Sequence, residues 1–109
     1  MNSTSLALTE LFNKIPRRHS LENIKEINGI IASYETHLID IEAVNSFYEK
    51  NISIFFDELD GVRAKIKKST DNKISKKSKD NFFDEASTEL KDSMQALIEL
   101  YADGGKTEN

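Results

Sequence analysis

From Ile24, alternating steps of three and four residues land on Ile27, Ile31, Tyr34, Leu38, Ile41, Asn45, Tyr48, Ile52, Phe55, Leu59, Val62 and Ile66. Twelve of these thirteen positions are apolar or aromatic. At the chain's overall apolar share, chance would fill about five of them. A strand buries every second residue, whereas a helix buries every third or fourth. A run of this length therefore commits residues 20–68 to helix and the chain to an all-α fold. Ile24 takes an a position and Ile27 a d position of a heptad. The fold expected is a helical bundle or helical hairpin built on a long, coiled-coil-like central helix.

Ser20 is placed to cap this helix, with Glu22 in its first turn facing the positive end of the helix dipole. Asn28-Gly29 and Asp60-Gly61 are turn dipeptides. An isolated glycine costs a helix only about 1 kcal/mol, however, and the heptad phase does not slip at either one. The reading is mostly one helix over 20–68, with room for a bend or interruption near Gly29 or between Thr36 and Asn45. Before it, Leu6, Leu8, Leu11, Phe12 and Ile15 form a short amphipathic helix over 4–15, with Ser3 or Ser5 as its cap. Pro16 closes that helix, because the residue before a proline is driven out of the helical region.

Residues 69–79 are polar and lose the period, which reads as a basic loop. Asp80 then caps a last helix over 80–102, with Phe83, Leu90, Met94, Leu97 and Tyr101 on its apolar stripe. Gly104 is expected to stop it, leaving 104–109 as a disordered tail. Residues 1–103 thus form one helical domain. The aromatic residues Tyr34, Tyr48, Phe55, Phe83 and Tyr101 all fall on seams and are expected in the core.

Helical rise sets a length problem. An unbroken central helix would be about 73 Å long, and the other two helices together would cover about 50 Å of it. The remaining seam must either be covered by folding the helix back or by pairing with another chain. A homodimer or a helical partner protein is expected on this ground, with Ile41, Asn45, Tyr48, Ile52, Phe55 and Leu59 as the partner-binding seam. Asn45, the one polar residue in the series, would set register there, as a buried asparagine at an a position does. Ile30, Ile39, Val44, Phe47, Ile54 and Phe56 widen the stripe beyond a and d, so the 38–59 region should be covered on more than one side.

Charge supplies a second candidate. The net charge is −4. Residues 63–79 hold Arg63, Lys65, Lys67, Lys68, Lys73, Lys76, Lys77 and Lys79 against Asp71 alone. The segment carries +7 and the rest of the chain −11. Such a block can meet phosphates or another anionic surface. With no aromatic residue inside it, base stacking has no support.

Catalytic and cofactor chemistry have no comparable signal. Cysteine is absent, which removes thiolate nucleophiles, thiolate metal sites and disulfides. His19 and His37 do not form a metal set with neighbouring carboxylates and read as surface histidines. Asp57, Glu58 and Asp60 lack the alternation and closing glutamate of a calcium loop. No phosphate loop or hydrolase motif is present, and no cofactor or metal is expected. No apolar run nears the roughly 20 residues of a membrane span, and no signal peptide opens the chain. A cytoplasmic location is expected.

The function expected is a non-enzymatic helical protein–protein interaction module: an adaptor, secretion-type chaperone, inhibitor or assembly subunit. The alternative is a nucleic-acid-associated regulator that uses segment 63–79. Salt separates the two, since phosphate contacts weaken steeply with ionic strength and apolar packing does not.

Overall fold

The computed structural model describes the backbone of residues 3–107 and the side chains of residues 4–101. Five helices follow one another among the described residues: α1 (Ser3–Lys14), α2 (Leu21–Glu42), α3 (Ser46–Asn51), α4 (Ser53–Ser69) and α5 (Lys76–Thr107). No described residue lies in a strand. The molecule measures 51 × 23 × 17 Å. At 1.5 Å per residue, α5 alone is about 48 Å long, so it runs the length of the bundle.

Cross-helix contacts define the topology. Pro16 meets Ser87, Tyr34 meets Ser93 and Tyr48 meets Tyr101, so the chain from α2 through α3 ascends alongside α5. Lys65 pairs with Glu85 and Glu89, so α4 descends against it. Lys91 lies over the Phe12 ring, and α1 likewise runs antiparallel to α5. The result is an up-down-up-down bundle with α3 as a short helical corner.

The long central helix of the sequence reading is therefore corrected. It breaks at Ala43–Asn45, inside the window allowed for an interruption. Asn45 adopts extended backbone, and its side chain accepts the Tyr48 N–H at 3.0 Å. It caps α3 and does not hold register inside a coiled coil. Gly29 and Gly61 do not interrupt their helices. Ser20 caps α2 as expected, accepting from the Asn23 N–H at 3.0 Å.

Two further boundaries differ. The last helix starts at Lys76, because Ser75 accepts the Ser78 N–H at 3.1 Å and caps it. The basic loop thus shrinks to 70–75. At the other end α5 runs through Gly104 to Thr107, so Gly104 is no stop. The expected disorder of the final residues, Glu108 and Asn109, lies outside the described residues. Helix α1 begins at Ser3, which puts Ser5 inside the helix and not at its cap.

The core is the predicted stripe. Ile27, Ile31, Tyr34, Leu38, Ile41, Ile52, Leu59 and Val62 join Leu8, Phe83, Leu90, Met94 and Leu97, each almost wholly removed from water. Burying such side chains gives about 1.5–3 kcal/mol each before the entropy of ordering is subtracted. Buried hydroxyls are satisfied across the bundle. Ser87 donates to the Pro16 carbonyl at 2.6 Å, tying the α1–α2 connection to α5. Tyr34 and Ser93 share a hydrogen bond of 2.8 Å in the interior.

Burial pushes the Tyr34 phenol well above its ordinary value of 10.0, and the nearby Glu58 charge adds to this against the opposing Ser93 hydrogen bond. The folded state therefore keeps its proton where the unfolded chain releases it. Stability from this site is complete below about pH 10 and falls as pH rises further. Above pH 10 the melting temperature of the native chain should drop more steeply than that of Tyr34→Phe. At neutral pH the same variant should lose about 1 kcal/mol, because Ser93 loses its partner. Thermal melts across this pH range check both; parallel slopes would contradict the buried phenol.

Candidate functional site

The expected partner seam is not an open surface. Ile41, Tyr48, Ile52, Phe55 and Leu59 are all buried within the chain's own core. Asn45 is half-buried and occupied as a cap. The shortfall in covering length disappears once the helix folds back, and with it the reason for expecting a homodimer through this seam. The widening residues separate into two groups. Ile30 is buried, and Phe47 and Phe56 pack against the core, whereas Ile39, Val44 and Ile54 are more than half exposed.

Ile54 stands at one end of a groove between α4 and α5. The groove is lined by Ile54, Asp57, Glu58, Gly61, Glu89, Asp92 and Ser93, with a volume of about 530 Å³. Four carboxylates surround one apolar side chain and a glycine. Of these, Glu89 pairs with Lys65, which also reaches Glu85 at 3.4 Å. These carboxylates hold the Lys65 ammonium above its ordinary range, the Glu89 hydrogen bond most strongly. On the other side of α4, Arg63 donates two hydrogen bonds to Glu35 at 3.0 and 3.1 Å. This fork lowers the Glu35 carboxyl below its ordinary value of 4.5. Its support for α2–α4 packing is thus present above that pH and fades below it.

Gly61 is the unexplained member of the groove. It sits mid-helix with ordinary negative φ, and a Cβ built on it meets nothing within 4 Å. An interior helical glycine costs about 0.5–1 kcal/mol relative to alanine. Gly29 on α2 is in the same position, with nothing within 4 Å of a built Cβ, so this cost is not peculiar to the groove.

The basic block is divided by the structure. Arg63 and Lys65 are tied down as internal ion pairs. Lys67 and Lys68 occupy the last turn of α4, where cations favour the helix dipole. Lys76, Lys77 and Lys79 occupy the opening of α5, whose first turn holds no acid. There the dipole disfavours cations by about 0.3–1 kcal/mol each. Lys76 recovers part of this by pairing with Asp80 at 3.2 Å. Lys73 lies exposed in the connecting loop.

The fold also adds residues that sequence spacing did not group. Arg17 and Arg18, from the α1–α2 connection, share a concavity with His19, Lys76, Asp80, Asn81 and Asp84. The anchor is His19, which is mostly buried and not the surface histidine expected. Its Nδ1 hydrogen-bonds Asp80 Oδ1 at 2.9 Å, and its ring lies 5.6 Å from Phe83. The Lys76 ammonium, ahead of His19, holds the Asp80 carboxyl below its ordinary range. The signal that could have found this corner is the Arg17-Arg18 pair, read as one more basic segment near a helix start.

Asp57 and Glu58 face the groove, with no third ligand in a metal-binding group; no group of three metal-ligating side chains occurs among the described residues. No described helix is long and apolar enough to cross a membrane. Comparison with family models, curated proteins and solved structures finds no match to the chain.

Proposed function

We propose that the chain is a non-enzymatic helical protein–protein interaction module that takes a partner helix along the α4–α5 groove. The groove itself carries this reading, because an exposed apolar side chain and acidic residues line one furrow between two long helices. Gly61 leaves part of that furrow without a side chain, a feature Gly29 on α2 shares, so the glycine alone does not set the groove apart. Ile54, 58% exposed, supplies an apolar contact at the groove's end. Asp57, Glu58 and Asp92 select a partner with basic residues flanking an apolar stripe, Glu89 being already engaged by Lys65. A second copy placed symmetrically on this groove would set carboxylates against carboxylates, so the occupant is a different chain. Adaptor, chaperone, inhibitor and assembly roles all use such a surface.

The absence of cysteine permits a direct test. A photocrosslinker is attached at Gly61→Cys or, as a control on α2, at Gly29→Cys, and each is irradiated in cellular extract. The groove position should yield one discrete adduct, competed by unlabelled native chain and not by Ile54→Lys. The control should yield none. The same adducts from both positions, or competition by Ile54→Lys equal to native chain, would contradict the reading.

A further inference from the structure

The end of the bundle where α4 hands over to α5 lies outside the α4–α5 groove, and its basic residues come from two stretches far apart in the chain, 17–18 and 67–77. Arg17 and Arg18 reach it from the α1–α2 connection. Lys67 and Lys68 reach it from the end of α4, with Lys68 over the Phe82 ring at 5.3 Å. Lys73 lies in the 70–75 loop, and Lys76 and Lys77 open α5.

Their arrangement around α5 is specific. The α1–α2 connection meets α5 at Asp80, Phe83 and Ser87. Helix α4 meets it at Phe82, Glu85 and Glu89. At 100° per residue these two sets lie on nearly opposite sides of the helix. Cations thus flank the start of α5 on both sides, with Lys76 and Lys77 on the helix itself. Because His19 meets α5 at Asp80, a turn beyond Lys76, the first turn of α5 projects past the α1–α2 connection.

We propose that this corner is a sequence-independent binding surface for duplex nucleic acid, with the opening turn of α5 in the major groove and the flanking cations on the phosphates of its two walls. A helix with its side chains is about 10–12 Å across, and the major groove of B-DNA is about 12 Å wide. Charges on the two sides of such a helix would face the two walls of that groove. The acids at the corner are Asp71, Asp80, Asp84 and, in the first turn of α2, Glu22, and Asp80 is already engaged by Lys76 and His19. The acidic remainder extends along a molecule 51 Å long, largely beyond the screening length of about 8 Å at physiological salt. A bilayer surface fits less well. Peripheral membrane contacts insert apolar side chains; of the exposed large hydrophobic residues, Leu21 alone, at the start of α2, adjoins the corner, while Leu6, Ile39, Val44 and Ile54 lie elsewhere.

The test is fluorescence anisotropy of a short labelled DNA duplex against the full chain over a range of KCl, beside vesicles containing phosphatidylglycerol. Binding should weaken linearly in log–log form, with a slope of about −0.9 per phosphate neutralised. Arg17→Ala/Arg18→Ala and Lys67→Ala/Lys68→Ala should each reduce the slope by about 2, while Lys50→Ala on α3 leaves it unchanged. Lys77→Glu should weaken binding yet raise the melting temperature, because it puts a carboxylate in the first turn of α5. Circular dichroism confirms that each variant is folded. No duplex binding at low salt, a slope indifferent to either pair, or binding to vesicles alone would overturn the proposal.

Discussion

Leu59→Asp should leave the chain unfolded or close to it at room temperature. Leu59 is 1% exposed, on the α4 face that packs into the centre of the bundle. Aspartate there either strands a charge in an apolar interior or must take up a proton to remain. Either route costs several kcal/mol, on top of the lost leucine packing. A small domain is stable by only about 5–15 kcal/mol. Ile52→Asp should behave alike, since Ile52 is fully buried where α3 joins α4. Glu49→Ala, at an exposed site on α3, should change stability by about 0.5 kcal/mol or less. Urea unfolding followed by circular dichroism measures all three. Similar costs for Leu59→Asp and Glu49→Ala would contradict the burial pattern.

Phe83→Ala is the second large effect, at about 3–5 kcal/mol. Phe83 is fully buried on α5, beneath the α1–α2 connection and against the His19 ring. Removing it opens a cavity and also loosens the imidazole that ties Asp80 to that connection. The neighbouring Phe82 is half-buried under Lys68, so Phe82→Ala should cost about 1 kcal/mol. Urea titration separates the two variants, and equal losses would mean that α5 presents a different face to the core.

The all-α class and the core stripe were legible because burial imposes a period, and the period survives in the residues. What period alone could not show is direction. The heptad phase runs unbroken from Ile41 through Tyr48 to Phe55, and a reversal by loop would have reset it. The chain reverses by a helical corner instead. Asn45 caps one and a half turns of α3, and Ile52, still in helical backbone, leads into α4. Tyr48 keeps its inward place by stacking on Tyr101 at 5.3 Å. The register therefore persists while the axis turns. The same polar residue that interrupts the stripe reads equally as a coiled-coil asparagine or as a cap, and only the third dimension separates these.

The start of α5 was hidden for a different reason. Lysines oppose the dipole at a helix N-terminus, and no apolar period begins before Phe82, so Lys76–Lys79 looked like loop. The groove left its trace in sequence as Ile54, off the a and d positions, and as Gly61, which reads as a turn signal as readily as a docking surface. The alliance of Arg17 and Arg18 with the basic block depends on His19 reaching Asp80, a contact 61 residues apart in sequence that no spacing rule anticipates.

The fold-back of the heptad helix underlies the closed core, the groove and the basic corner, and one distance tests it. Thr36 on α2 and Asp60 on α4 are both exposed and lie near the Glu35–Arg63 pair. Spin labels are placed at Thr36→Cys and Asp60→Cys in the cysteine-free chain and diluted with unlabelled protein so that only intramolecular distances are read. Packed helices stand 8–10 Å apart, so double electron–electron resonance should show one population within about 20 Å once label reach is included. An unbroken helix would separate the same positions by about 36 Å, and a population at that distance would contradict the account.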